Sequence, residues 1–166
     1  AKIPVNTKLH AFGFNCMATM EHFIGLNITS FDSTAPILKA FKDDLDNYSM
    51  GAKLQYTALR VPPSHENKIS RRLQAGAIDY EQLRDLESSA LRDLRNYEAG
   101  YTDMQTALDS LLAYEQFLDP DRSYEDAYRR TLKDRPWERC DCRACTEIGI
   151  EVLIYRGMNR NKRRGF

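Results

Sequence analysis

Cys140-Asp141-Cys142-Arg143-Ala144-Cys145 places three thiols within six residues, and this constrains the chain more than any other feature. A disulfide between such near neighbours would be strained, because bridged Cα atoms sit roughly 4.4–6.8 Å apart with matched Cβ vectors. Three thiolates this close can converge on one cation, and soft sulfur suits tetrahedral zinc. A redox pair of Cys142 and Cys145 is the second reading, but no thioredoxin-type context surrounds it. Cys16 stands far off on an expected helix and reads as a small core residue. Zinc takes a fourth ligand, and His10, His22 and His65 are all remote from the cluster in sequence.

The 166 residues are enough to bury a core. Acidic and basic residues balance at 24 each, so overall charge does not mark a nucleic-acid binder. The distribution says more: the last eleven positions hold Arg156, Arg160, Lys162, Arg163 and Arg164 and no acid. A solvated end is the simplest reading of such a run. Directly after a cysteine cluster and an expected strand, it also reads as a phosphate-contacting element. No apolar run approaches the roughly 18 residues of a membrane span, and no signal peptide is visible. Clustered cysteines do not form a secreted disulfide framework, which points to a reducing, cytoplasmic setting and no membrane partner. The opening Ala in place of Met leads us to expect that the natural N-terminus lies upstream.

Residues 9–14 form a short apolar run suited to a buried strand, and residues 17–23 suit a helix stopped by Gly25. Residues 27–31 read as a second strand. Strand, helix, strand over so short a span is the rhythm of a βαβ unit with parallel strands. Ser33-Thr34-Ala35-Pro36 then signals a helix start, with Ile37, Leu38 and Phe41 as its apolar face. Residues 53–61 are expected to be extended, closed by Pro62-Pro63. From residue 64 to 134, Leu73, Leu83, Leu86, Leu91, Leu94, Leu108 and Leu111 recur near helical period, broken at Gly76, Gly100 and Asp119-Pro120. This predicts a helical hairpin or small bundle with solvated charged faces. Residues 148–155 are β-branched and apolar and are expected to be a strand.

Asp32 falls at the end of the second expected strand, where barrel and doubly wound enzymes place catalytic groups. Asp-Ser-Thr before a helix is also ordinary capping chemistry, and spacing alone favours that. Gly13, between Phe12 and Phe14, permits close backbone approach to a flat ligand.

Together these residues resemble the guanine transglycosylases, which exchange a guanine in nucleic acid for a 7-deazaguanine. The family's CxCxxC zinc motif is matched by Cys140, Cys142 and Cys145, and its Phe-Asp nucleophile pair by Phe31-Asp32. Its Gly-x-Gly strand end corresponds to Gly13 and Asn15, with the second Gly replaced. The run over residues 156–166, Arg-Gly-x-x-Arg-x-x-Arg-Arg-Gly-Phe, is similar to the family segment that precedes the zinc-binding His. In transfer-RNA enzymes a Pro-Thr-Arg motif follows the nucleophile and the zinc cysteines come soon after. Here Ser33-Thr34-Ala35-Pro36 stands in its place and a long helical segment intervenes, which looks more like the DNA-modifying branch.

The resemblance implies an α/β fold: the C-terminal part of a (β/α)₈ TIM barrel with a long helical insertion and a zinc-binding subdomain. Residues 1–62 would hold barrel strands and the catalytic strand end. Residues 63–135 would be the insertion, and residues 136–166 the zinc motif and last barrel segment. It implies a structural Zn²⁺ completed by a His beyond Phe166. It further implies double displacement at the sugar C1′ with Asp32 as nucleophile, and proton transfer by a second Asp upstream of Ala1. Phe12 and Gly13 would frame the base, and Arg156, Arg160, Lys162, Arg163 and Arg164 would meet the nucleic acid. The expected substrates are DNA and a 7-deazaguanine base. The alternatives are a transfer-RNA enzyme of the queuine or archaeosine type, and a non-catalytic zinc and nucleic-acid-binding subunit or inactive fragment. The chain by itself is expected to be inactive, and to associate with itself or with a complementary subunit.

Overall fold

A computed structural model describes residues 4, 7–13, 26, 28–50, 54–65, 69, 76 and 78–157. The expected helix over 17–23, with Phe14, Asn15, Cys16 and His22, lies outside the described residues, as do Arg160, Lys162, Arg163 and Arg164.

The two strands expected near the N-terminus are β1 (Leu9–Ala11) and β2 (Ile28–Phe31). They pair in parallel, with His10 opposite Ser30 and Ala11 opposite Phe31. No residue of either strand is fully buried. Helix α1 (Ala35–Lys42) follows with a proline in its first turn, as Ser33-Thr34-Ala35-Pro36 predicts. Leu38, expected on its apolar face, is exposed.

The extended segment over 53–61 divides in two. Strand β3 (Tyr48–Met50) pairs antiparallel with β4 (Leu54–Tyr56). Thr57 and Ala58 then turn the chain into β5 (Leu59–Arg60), which pairs in parallel with β6 (Ile154–Tyr155). The break is held by side chains: Asn47 Oδ1 accepts the Ala58 N–H at 2.8 Å, and Thr131 Oγ1 both accepts from Thr57 N–H and donates to Thr57 O.

Helix α2 (Tyr80–Glu98) is capped by Asp79, which accepts the Gln82 N–H at 2.7 Å, and it buries Leu83, Ala90 and Leu94. Gly100, at φ 79°, turns the chain into α3 (Met104–Leu118), capped in the same way by Asp103. The two helices form the expected hairpin. Helix α4 (Glu125–Asp134) lies against α3 and β4.

The strand expected over 148–155 is a correction. Only Ile154 and Tyr155 are extended; helix α5 (Arg143–Ile148) and a 3₁₀ turn (Gly149–Val152) occupy the rest. Gly149 sits at φ 55°, and a Cβ there would come within 1.9 Å of Glu98 Oε1. That carboxylate accepts the Ile150 N–H at 2.6 Å and closes the turn. Ile150, Leu153 and Ile154 are apolar because they are buried, whatever their backbone.

One core cluster unites Leu59 and Val61 with Leu83, Leu94, Leu108, Leu111, Tyr128 and Leu132, and with Trp137, Ile150 and Ile154. It therefore runs across both boundaries expected at 62/63 and 135/136. Helix α3 packs against β5 within that cluster.

Candidate functional site

The ends of β1 and β2 bring the first group together. Asp32 N–H donates to Ala11 O at 3.1 Å, continuing the parallel ladder one residue past β2. In return, Gly13 N–H donates to Asp32 Oδ1 at 2.7 Å. Gly13 adopts φ 65°, a left-handed conformation natural to glycine, as the chain leaves β1. Asp32 is thus engaged across the strand ends. The N-cap of α1 is Thr34, which makes no side-chain capping bond. His10 Nδ1 and Ser30 Oγ hydrogen-bond at 2.8 Å, and the His10 ring meets Phe12 edge to face with centroids 4.3 Å apart. Phe12 is 82% exposed, one residue before the Gly13 that binds Asp32.

The cysteines form the second group. The Sγ atoms of Cys140, Cys142 and Cys145 all lie within 4.8 Å of one another. Tetrahedral zinc with Zn–S near 2.3 Å sets sulfurs about 3.8 Å apart, so closing on an ion takes a shift on the order of 1 Å. The donor set fits zinc. Cys142 is the residue that caps α5, and hydrogen bonds from the Cys145 N–H and from the neighbouring cysteines hold its thiol below the ordinary range. Burial pushes Cys145 up to about 12. Bound zinc would take all three as thiolates.

Tyr48 was not legible in the sequence as part of this cluster. It arrives from β3, 97 positions away, with its hydroxyl 3.1 Å from Cys145 Sγ. Burial, and then that contact, hold the phenol well above its ordinary range; either group can donate in the metal-free site, and the phenol would donate once Cys145 is a thiolate on zinc.

Arg156 requires a correction. It is only 4% exposed, its guanidinium pairs with Glu87, and Nη1 donates to Val61 O at 2.6 Å. It ties β6 to α2 and β5 and is turned away from any surface that a phosphate could reach.

No protein-family model matches the chain. It is 40% identical over 165 residues, 97% of its length, to a DNA-guanine transglycosylase from Salmonella montevideo. Over these residues the chain is homologous to that protein. It spans 40% of the length of that relative. The chain carries a cysteine triad able to hold a metal and a carboxylate anchored at a parallel strand end. No helix among the described residues is long and apolar enough to cross a membrane.

Proposed function

We propose that the protein carrying this chain exchanges guanine in DNA for a 7-deazaguanine by double displacement at C1′. The observation that carries the reading is the Asp32 carboxylate, held by the Gly13 N–H at 2.7 Å where two parallel strands end, in a homologue of a DNA-guanine transglycosylase. The bond to Oδ1 orients the carboxylate and leaves Oδ2 as the attacking oxygen. Attack forms a C1′–O bond as the C1′–N9 bond breaks, and guanine leaves with the electron pair and takes up a proton. The incoming base then attacks C1′, loses a proton and releases Asp32 as carboxylate. The Gly13 N–H stabilises the negative charge in that release.

The target nucleotide must leave the stack to reach Asp32. Phe12, exposed at the same strand end, offers a face to the flipped base. Proton transfer falls to a second Asp in the upstream part of the protein. The parallel pairs β1–β2 and β5–β6 are proposed as late strands of a (β/α)₈ barrel, with α2 to α4 inserted before the zinc cysteines. Cys140, Cys142 and Cys145 would hold a structural zinc completed by a His downstream. That zinc would fasten the loop that precedes β6.

Labelled guanine supplied to the intact protein with DNA and with transfer RNA tests the reading. Incorporation into DNA is expected, with a loss of roughly 10⁴-fold or more in Asp32→Asn. Labelling of transfer RNA alone, or a folded Asp32→Asn protein with near-normal exchange, would overturn it.

A further inference from the structure

Eight of the eleven described arginines sit in ion pairs: Arg60, Arg92, Arg95, Arg122, Arg129, Arg135, Arg143 and Arg156. Two of the remaining three converge on one tyrosine. Arg130, exposed on α4, places its guanidinium over the Tyr56 ring at 5.1 Å. Arg139, exposed one residue before the cysteine cluster, donates from Nη1 to the Tyr56 hydroxyl at 3.3 Å. Lys133, one helical turn on from Arg130, is exposed on the same side of α4.

Tyr56 is itself fixed: it is 1% exposed, and its hydroxyl donates to Asp134 Oδ2 at 3.2 Å. Asp134 is engaged by that hydroxyl, and Asp126 stands exposed one helical turn before Arg130. The exposed Glu138 is taken by Arg135, and Glu147 by Arg143. Among the described residues, Arg130, Lys133 and Arg139 form no ion pair with a carboxylate. Stacking on a buried ring lowers the entropy that a guanidinium loses on binding and leaves its outer N–H groups for an anion.

We propose that Arg130 and Arg139, flanked by Lys133, form a contact surface for the phosphodiester backbone of duplex DNA. The inference rests on the DNA reading above and adds to it the place where the helical segment grips the substrate. Geometry selects the ligand: two exposed guanidiniums outside any ion pair, seated on one buried ring, suit the oxygens of a phosphate backbone. It also moves the expected phosphate contact away from Arg156, which is buried. Because Arg139 adjoins Cys140, the metal loop would set the height of one guanidinium relative to the other, which α4 carries.

The test is duplex-DNA affinity of the intact protein across a salt series. Arg130→Gln/Arg139→Gln is expected to weaken binding equally on unrelated sequences and to lower the log–log salt slope by about 1.8, at ~0.9 per phosphate lost. Arg130→Lys/Arg139→Lys should keep the slope, and the double Gln variant should keep the zinc content of the parent. An unchanged slope in the Gln variant, while the parent binds DNA and exchanges guanine, overturns this surface and leaves the functional reading standing. Failure of the parent to bind DNA overturns both.

Discussion

Tyr48 and Asp32 show how much a single hydrogen bond decides. A cysteine triad can be read from spacing, but the group that polarises it comes from β3, and no periodicity links residue 48 to residue 145. Tyr48→Phe removes the donor while keeping the ring. We expect zinc affinity to fall about 10- to 100-fold, measured by competition with a chromophoric chelator, with little change in unfolding of the metal-free protein. Equal affinity in the two proteins would make the contact incidental. At Asp32 the spacing alone favours a helix cap over a catalytic strand end. The bond from Gly13 N–H engages the carboxylate across the strand ends, and Thr34 stands as the cap.

At the scale of elements, helix α2 is fastened to the strands by charge. Burial works against ionisation of Glu87, yet bonds from Arg156 and from the Ser64 N–H outweigh it and hold its carboxyl below the usual range. A depressed folded-state value stabilises the fold above the ordinary carboxylate range and loses that contribution as pH falls through it. The Glu87 and Arg156 side chains are 12% and 5% exposed, so Glu87→Gln strands a buried guanidinium. We expect a loss of about 3 kcal/mol near neutral pH that shrinks toward about pH 3, read from urea unfolding. A loss independent of pH would assign the effect to packing. Glu115 in α3 runs the other way. Burial raises it despite bonds from Tyr124 N–H and the Tyr128 hydroxyl, so its contribution declines as pH rises out of the carboxylate range.

For the whole molecule, the placement of the core separates what this chain can hold by itself from what it needs. The buried cluster is built from β5, β6, the helices and the turn after α5, while β1 and β2 contribute no fully buried residue. The proposed nucleophile therefore sits on the least buried pair of strands. A (β/α)₈ barrel closes eight strands over about 250 residues, and the described strands here form three separate pairs. We expect residues 1–166 expressed alone to retain the helical core by circular dichroism and to exchange no guanine. Measurable exchange by that polypeptide would show that Asp32 needs no further strands to be positioned.

The sequence by itself determined the local and chemically specific features. The cysteine spacing, the parallel strand pair, the proline at the start of α1, and the Leu83–Leu94 helical face all follow from periodicity, turn chemistry or ligand type. The tertiary structure alone decided which apolar run was extended and which arginine was free. Residues 148–153 wind into α5 and a 3₁₀ turn because Glu98, some fifty positions earlier, accepts the Ile150 N–H at 2.6 Å. Arg156 is buried because Glu87 faces it, and Arg130 and Arg139 meet only because Tyr56 lies between them. In each case the deciding partner is distant in sequence, and burial strengthens an electrostatic or hydrogen-bonded choice that local propensity leaves open.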